Sequence, residues 1–249
     1  MPAADREEIR MKLGIIGAME TEVAALKQAM ETERVVTKAG MDFYEGTLQG
    51  TPAVVVQCGI GKVNAAMCVQ ILADLFQVTH VLNTGVAGSL NADLDIGDIL
   101  VSEKAIQHDV DVSALGYQLG KIPGFENREF LADPGMADAV IDACKRANPN
   151  VHVVKGCVVS GDQFISDGKV KERLICEFHG DCAEMEGASI AQAAVLNGIP
   201  FLVVRAISDK ADGSAEMDYP TFEDQAAAHC AGMVMEFVKS FPSIAKDSI

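Results

Sequence analysis

Apolar and polar positions alternate in blocks along this chain, and the blocks change period. LGIIGA at 13–18 is a short apolar run closing on glycine, which predicts a buried strand. METEVAALKQAM at 19–30 follows with helical spacing through Val23, Leu26 and Met30. The segment 42–59 reads as two strands joined at Gln49-Gly50-Thr51, and KVNAAMCVQILADLF at 62–76 as a helix with a broad apolar face. Strands are predicted at 79–88, 96–106, 151–161 and 200–209. Helices are predicted at 134–147, with Pro134 in the first turn, and at 169–178, 187–198 and 221–241. Gly198 and Pro200 stop the helix at 187–198. The stretch 107–133 is a polar, glycine-bearing connector of a length usually associated with function.

Strands that are apolar on both faces and alternate with helices argue for an α/β fold: a single three-layer domain whose twisted, mostly parallel sheet is covered by helices. The domain is expected over 11–241, where Met11 opens the patterned sequence. Residues 1–10 read as a flexible leader and 242–249 as a C-terminal tail. The leader has no apolar core of the kind a secretory signal carries, and no apolar run reaches the ~18 residues of a membrane span.

The net charge of -16 disfavours nucleic acid or an anionic membrane as the main partner. Seven cysteines without a C-x-x-C pair, mostly inside apolar runs, read as buried thiols in a reducing, cytoplasmic compartment. One glycine motif misleads. GIGK at 59–62 lacks the first glycine of a phosphate loop, having Val56 there, and Val63 replaces its Ser/Thr. It reads better as a tight strand-to-helix turn. His108-Asp109 is the only suggestive neighbour pair among the histidines, and no metal-ligand spacing appears.

Ligands of open α/β sheets bind beyond the carboxyl ends of the strands. Glu22, Glu186 and Asp209 stand there. Taken singly, each has a structural reading, as a first-turn acid or as a cap. Taken together, a poorly solvated carboxyl as proton donor, a second as base beside a water, and a third as acceptor of sugar hydroxyls suit glycosidic cleavage. Their spacing does not select that reaction over other hydrolyses.

GAMETEV at 17–23, CGIGKVNAA at 58–66, NTGVAG at 83–88, HDVDVSALGY at 108–117, VSGDQFI at 159–165, EMEG at 184–187 and VRAISDKAD at 204–212 carry a resemblance. Over 11–241 the chain resembles the bacterial 5′-methylthioadenosine/S-adenosylhomocysteine nucleosidases of the purine nucleoside phosphorylase-like superfamily. The resemblance implies hydrolysis of the N9–ribosyl bond to adenine and a 5-substituted ribose, with no metal or organic cofactor, by a homodimer. It implies Glu22 as the base activating water and Asp209 as the acid protonating adenine N7, with Ser208 supporting it. Glu186 would hold the ribose hydroxyls, Met185 would pack on the sugar, and Gly88 would lie at the turn beside it. Phe164 would stack on the base while the Ile165 backbone reads its edge, and Tyr219 would line the site. Val112, Leu115, Tyr117 and Pro123 would close the 5′-substituent pocket of the partner subunit. Glu184 would have a local structural role. Val86 stands where a serine is common, Leu115 where an aromatic is frequent and Tyr219 where phenylalanine is frequent, which bears on the 5′-substituent. A nucleoside phosphorylase and a non-catalytic nucleoside-binding protein are the rival readings. The first would require groups that receive phosphate, where Glu20 and Glu22 instead present carboxylates.

Overall fold

In the computed structural model, residues 11–244 are described. The leader over 1–10 and the end of the tail, 245–249, lie outside the described residues. The core strands are β1 (Leu13–Gly17), β4 (Thr51–Gln57), β5 (His80–Ser89) and β10 (Phe201–Asp209). They run parallel as β4-β1-β5-β10. β10 continues antiparallel to β6 (Ile99–Gln107), which pairs in parallel with β8 (Val153–Ser160), and β8 in turn with β9 (Cys182–Glu184). β9 then returns antiparallel to the end of β5, so this part of the sheet closes into a ring. The open edge is a meander of β4, β3 (Met41–Leu48) and β2 (Glu31–Lys38). A two-residue strand, β7 (Phe130–Leu131), pairs with β6.

Helices cover both faces. α1 (Glu20–Ala29), α3 (Pro134–Ala147) and α6 (Ala215–Ile244) bury Val23, Leu26, Val140, Val234 and Phe237 against one. α2 (Lys62–Phe76) and α5 (Gly187–Leu196) bury Leu72, Phe76, Ile190 and Ala194 against the other. α4 (Gly168–Phe178) closes a smaller cluster with Leu174 and Phe178. This is the layered α/β domain that the hydrophobic pattern predicts, but its sheet is mixed: β4-β1-β5-β10 and β6-β8-β9 are parallel runs, joined to each other by antiparallel pairs at β10–β6 and β5–β9 and extended by the antiparallel β2, β3 and β7.

Besides β7, which falls inside the 107–133 connector, three elements differ from the sequence reading. β2 carries no apolar face to announce it: seven of its eight positions are exposed, and it is held by its ladder to β3. β9 has only three residues, too few for a period. α6 begins at Ala215, before Pro220, which lies inside it. Pro220 is its sixth residue, past the first turn, so the helix runs through a position that gives up one i→i−4 hydrogen bond, and packing overrides the local stop signal.

β5 creates the opening for a site. β10 lines one edge of it from Val81 to Gly88. On the other edge, β1 pairs only as far as Asn83, and β9 takes over at Gly88. Between these contacts Gly85, Val86 and Ala87 face a gap where β1 and β9 diverge. Binding sites of α/β sheets form at such divergences.

Candidate active site

A cavity of about 360 Å³ fills the gap. Its walls include Glu22, Gly88, Phe164, Met185, Glu186, Ser208, Asp209 and Tyr219, and Ile165 lines a smaller recess that continues from it. All nine residues expected in the site from their own chain are therefore brought together. Val112, Leu115, Tyr117 and Pro123 do not line this cavity. They lie before, in and after a single 3-10 turn at Ser113–Leu115, with Leu115 76% and Tyr117 41% exposed.

Glu22 sits in the first turn of α1, as a dipole-favoured acid would, but its carboxylate turns inward and is buried. Oε2 accepts the N–H groups of Ala18 at 2.6 Å and Met19 at 3.0 Å, and Oε1 accepts that of Val86 at 3.0 Å. Burial pushes its pKa up, opposed by the Arg205 charge and by these three donors. The fit is tight: a Cβ on Gly85 would stand 2.3 Å from both Glu22 Oε1 and Arg205 Nη1. Only glycine lets the strand pass.

Asp209 ends β10 at the other side of residues 86–88. Its Oδ1 accepts the Ala211 N–H at 2.8 Å, and Ser208 Oγ donates to Oδ2 at 2.9 Å. Burial raises its pKa against these two hydrogen bonds, and Asp218 and Asp212 add to the rise. Gly88 allows the approach, since a Cβ there would lie 2.7 Å from Asp209 Oδ1.

The two glutamates of EMEG divide their work. Glu184 Oε2 accepts the N–H groups of Glu186 at 3.1 Å and Gly187 at 2.7 Å, which caps α5. Ser160 Oγ donates to its other oxygen and Arg205 Nη2 to Oε2. Glu186 is thereby released from capping: its side chain makes no cap bond to α5. Its Oε1 instead accepts the Gly61 N–H at 2.8 Å, and burial followed by the Glu184 charge raises its pKa, with Arg205 opposing.

Arg205 was not singled out by the sequence reading, although it lies within VRAISDKAD. It is fully buried and donates to Asn83 Oδ1 at 2.6 Å as well as to Glu184. Its Nε and Nη1 are buried without a protein partner. The available signal was a guanidinium inside FLVVRAISD, a strand otherwise apolar on both faces; a charge there is tolerated only when paired. Val86 and Glu184 also line the cavity, and Ala18, Met19, Ile60, Ala87 and Ala183, which carried no chemical signal, complete it.

The upper wall is aromatic. Phe164, half exposed at the mouth, meets Tyr219 edge to face at 5.7 Å and 82°, and Tyr219 Oη lies 3.1 Å from Met19 Sδ. The decoys resolve as turns and supports. Gly59 and Gly61 take φ of 83° and 99°, and Asp109 pairs with Lys62 at 2.6 Å. Of the seven cysteines, Cys176 alone is exposed. Among the described residues no helix is long and apolar enough to cross a membrane.

Comparison with known proteins agrees with this geometry. The model of the phosphorylase superfamily matches residues 12–239. A 5′-methylthioadenosine/S-adenosylhomocysteine nucleosidase of Geobacillus thermodenitrificans is 40% identical over 237 residues, covering 95% of this chain and all of that one. The crystal structure of such a nucleosidase from Colwellia psychrerythraea, in complex with adenine, superposes with a TM-score of 0.88 at 37% identity, covering 92% of this chain and 95% of that one. A futalosine hydrolase of Helicobacter pylori also reaches 0.88, at 32% identity, over 94% of this chain and all of its own. With its strands, its cavity and its sequence all in agreement, this chain belongs to the phosphorylase superfamily and, within it, to the 5′-methylthioadenosine/S-adenosylhomocysteine nucleosidase family.

Proposed function

We propose that this protein hydrolyses the N-glycosidic bond of 5′-methylthioadenosine and S-adenosylhomocysteine, and also of 5′-deoxyadenosine, to adenine and a 5-substituted ribose. One observation carries the reading: two buried carboxylates, Glu22 and Asp209, flank residues 86–88 of β5 in one cavity, each with its pKa raised by burial.

Asp209, whose pKa burial raises, gives a proton to purine N7 as the C1′–N9 bond breaks. The bonding electrons leave with the base, which departs as neutral adenine. The sugar develops oxocarbenium character, and a water adds to C1′ while passing its proton to Glu22. The three N–H groups on Glu22 favour its ionised form, which the base role needs. Glu186 accepts from the ribose hydroxyls, Met185 packs on the sugar, Phe164 stacks on the purine, and Ile165 reads its edge. Arg205, with Nη1 beside Glu22, balances the charge of this carboxylate-rich floor and offers a donor to the water. No step calls for a metal or an organic cofactor.

The rival phosphorolytic reaction needs an anion where water is delivered. Glu22 stands there as a buried carboxylate, and the Arg205 charge is already shared by Glu184 and Glu186. Repulsion at short range in a poorly solvated cavity disfavours phosphate. The likeness to futalosine hydrolase supports a futalosine-type nucleoside as a further substrate.

The active form is proposed as a cytoplasmic homodimer. Ile60 at the cavity mouth continues into Val63 and Met67, an exposed apolar stripe on α2. A second copy seated there would bring its Val112, Leu115, Tyr117 and Pro123 to the 5′-substituent. The test is chromatographic: adenine should appear from methylthioadenosine in phosphate-free buffer. A rate that depends on added phosphate would transfer the protein to the phosphorylases.

A further inference from the structure

Helix α2 starts without a cap of its own. Its N-cap is Gly61, which has no side chain to accept the free first amides. Carboxylates from two distant segments accept them. Glu186 Oε1 takes the Gly61 N–H, and Asp162 Oδ1 takes the Lys62 N–H at 2.8 Å. The first belongs to the floor of the cavity. The second begins the loop that carries Phe164 and Ile165.

The Lys62 side chain then turns back across the same loop. Nζ donates to Asp109 Oδ1 at 2.6 Å and to Gln107 Oε1 at 3.1 Å. Asp109 Oδ2 accepts the Asp162 N–H at 3.1 Å, which closes a ring of Lys62, Asp109 and Asp162. The ion pair is mostly sheltered, with side-chain exposures of 19% and 18%, so solvent and salt screen it less than a surface pair. The loop backbone is pressed against the same segment: a Cβ on Gly161 would stand 2.5 Å from His108 Cε1 and Nε2. None of the three ring residues lines the cavity.

We propose that Lys62, Asp109 and Asp162 are positioning residues whose ring fixes the purine side of the cavity, at Phe164 and Ile165, relative to the sugar side at Glu186. The names of those two sides rest on the function proposed above. Glu22 and Asp209 are held by separate contacts on α1, β5 and β10, so the ring governs ligand binding more than proton transfer. Loss of the ring should widen the range of loop positions and weaken purine capture, while bound substrate still reacts.

The experiment is steady-state kinetics with methylthioadenosine beside calorimetric titration with adenine, on the full chain. Asp109→Ala is expected to raise KM and the adenine Kd by about tenfold and to lower kcat by less than about threefold. Lys62→Met should do the same, Lys62→Arg should restore both constants to within about twofold, and the D109A/K62M double variant should be little worse than either alone. A merely structural role would reduce the folded fraction and the melting temperature with KM and Kd unchanged, and that result overturns the proposal, as does simple additivity of D109A and K62M. Should D109A not fold, the pair K62M and K62R decides by the same criteria. Wild-type protein that releases no adenine overturns the proposed function and this inference with it; normal wild-type turnover with unchanged variants overturns this inference alone.

Discussion

Arg205 Nη2 stands 3.7 Å from Glu186 Oε2, both side chains buried, the guanidinium beneath the cavity floor to which Glu186 belongs. The same guanidinium holds Glu184, and Glu22 lies close enough for its charge to be felt. Removing one member of a buried ionic cluster strands the others. Arg205→Met is therefore expected to destabilise the fold by about 3–5 kcal/mol. Urea unfolding checks this, and adding Glu184→Gln to R205M should recover part of the loss, because one stranded charge is then gone.

Glu22→Gln and Asp209→Asn should each lower adenine release by about 10²-fold or more, since each removes one proton-transfer partner. Both variants should stay folded, as judged by circular dichroism. A near-normal rate in either would remove that residue from the mechanism.

The raised pKa of Asp209 sets a sign for stability against pH. Its folded pKa lies above its unfolded value, so the native state binds this proton more tightly than the unfolded chain. The associated stability is present below the unfolded pKa and is lost as pH rises through the folded one. Asp209→Asn cannot ionise and escapes that loss. Its melting temperature should gain on the wild type as pH rises from acid to neutral and above, while its activity is lost throughout. Thermal scans over a pH series measure both slopes.

Gly85→Ala is a steric test. The added methyl would lie 2.3 Å from Glu22 Oε1 and Arg205 Nη1, so the base must shift. A displacement of about 1 Å at a reacting group costs on the order of 10²-fold in rate. Turnover of purified G85A beside its melting temperature separates misplacement of the base from simple unfolding.

Leu115→Asp examines the proposed partner contribution. Leu115 is largely exposed on its own chain, so the monomer fold should tolerate the change. Sedimentation should report a weakened dimer or, if the dimer persists, kinetics should report a higher KM for methylthioadenosine. A dimer and a KM both indistinguishable from the wild type would exclude this segment from the site.

The layered core was legible from apolar runs and helical periods because burial of β1, β5 and β10 on both faces leaves a continuous hydrophobic signature. β2 was not, because an exposed edge strand is specified by its hydrogen-bonding partner and leaves no periodic trace. The three carboxylates were visible as acids at strand ends. Which glutamate of EMEG is free to receive a ligand came from resemblance; the hydrogen bonds of Glu184 to the amides of α5 give the physical reason.

By itself, then, the sequence determined the alternation of strands and helices, the segments that must be buried, and the residue types available for acid-base chemistry. These follow from local period and composition. The tertiary structure alone decided that β1 and β9 part along β5, that Glu22 and Asp209 face one cavity, and that Arg205 lies beneath it. Those relations join residues 64, 21 and 125 positions apart, in the bonds of Glu22 to Val86, Arg205 to Glu184 and Gly61 to Glu186. Contacts over such separations arise from chain topology, which no local pattern encodes.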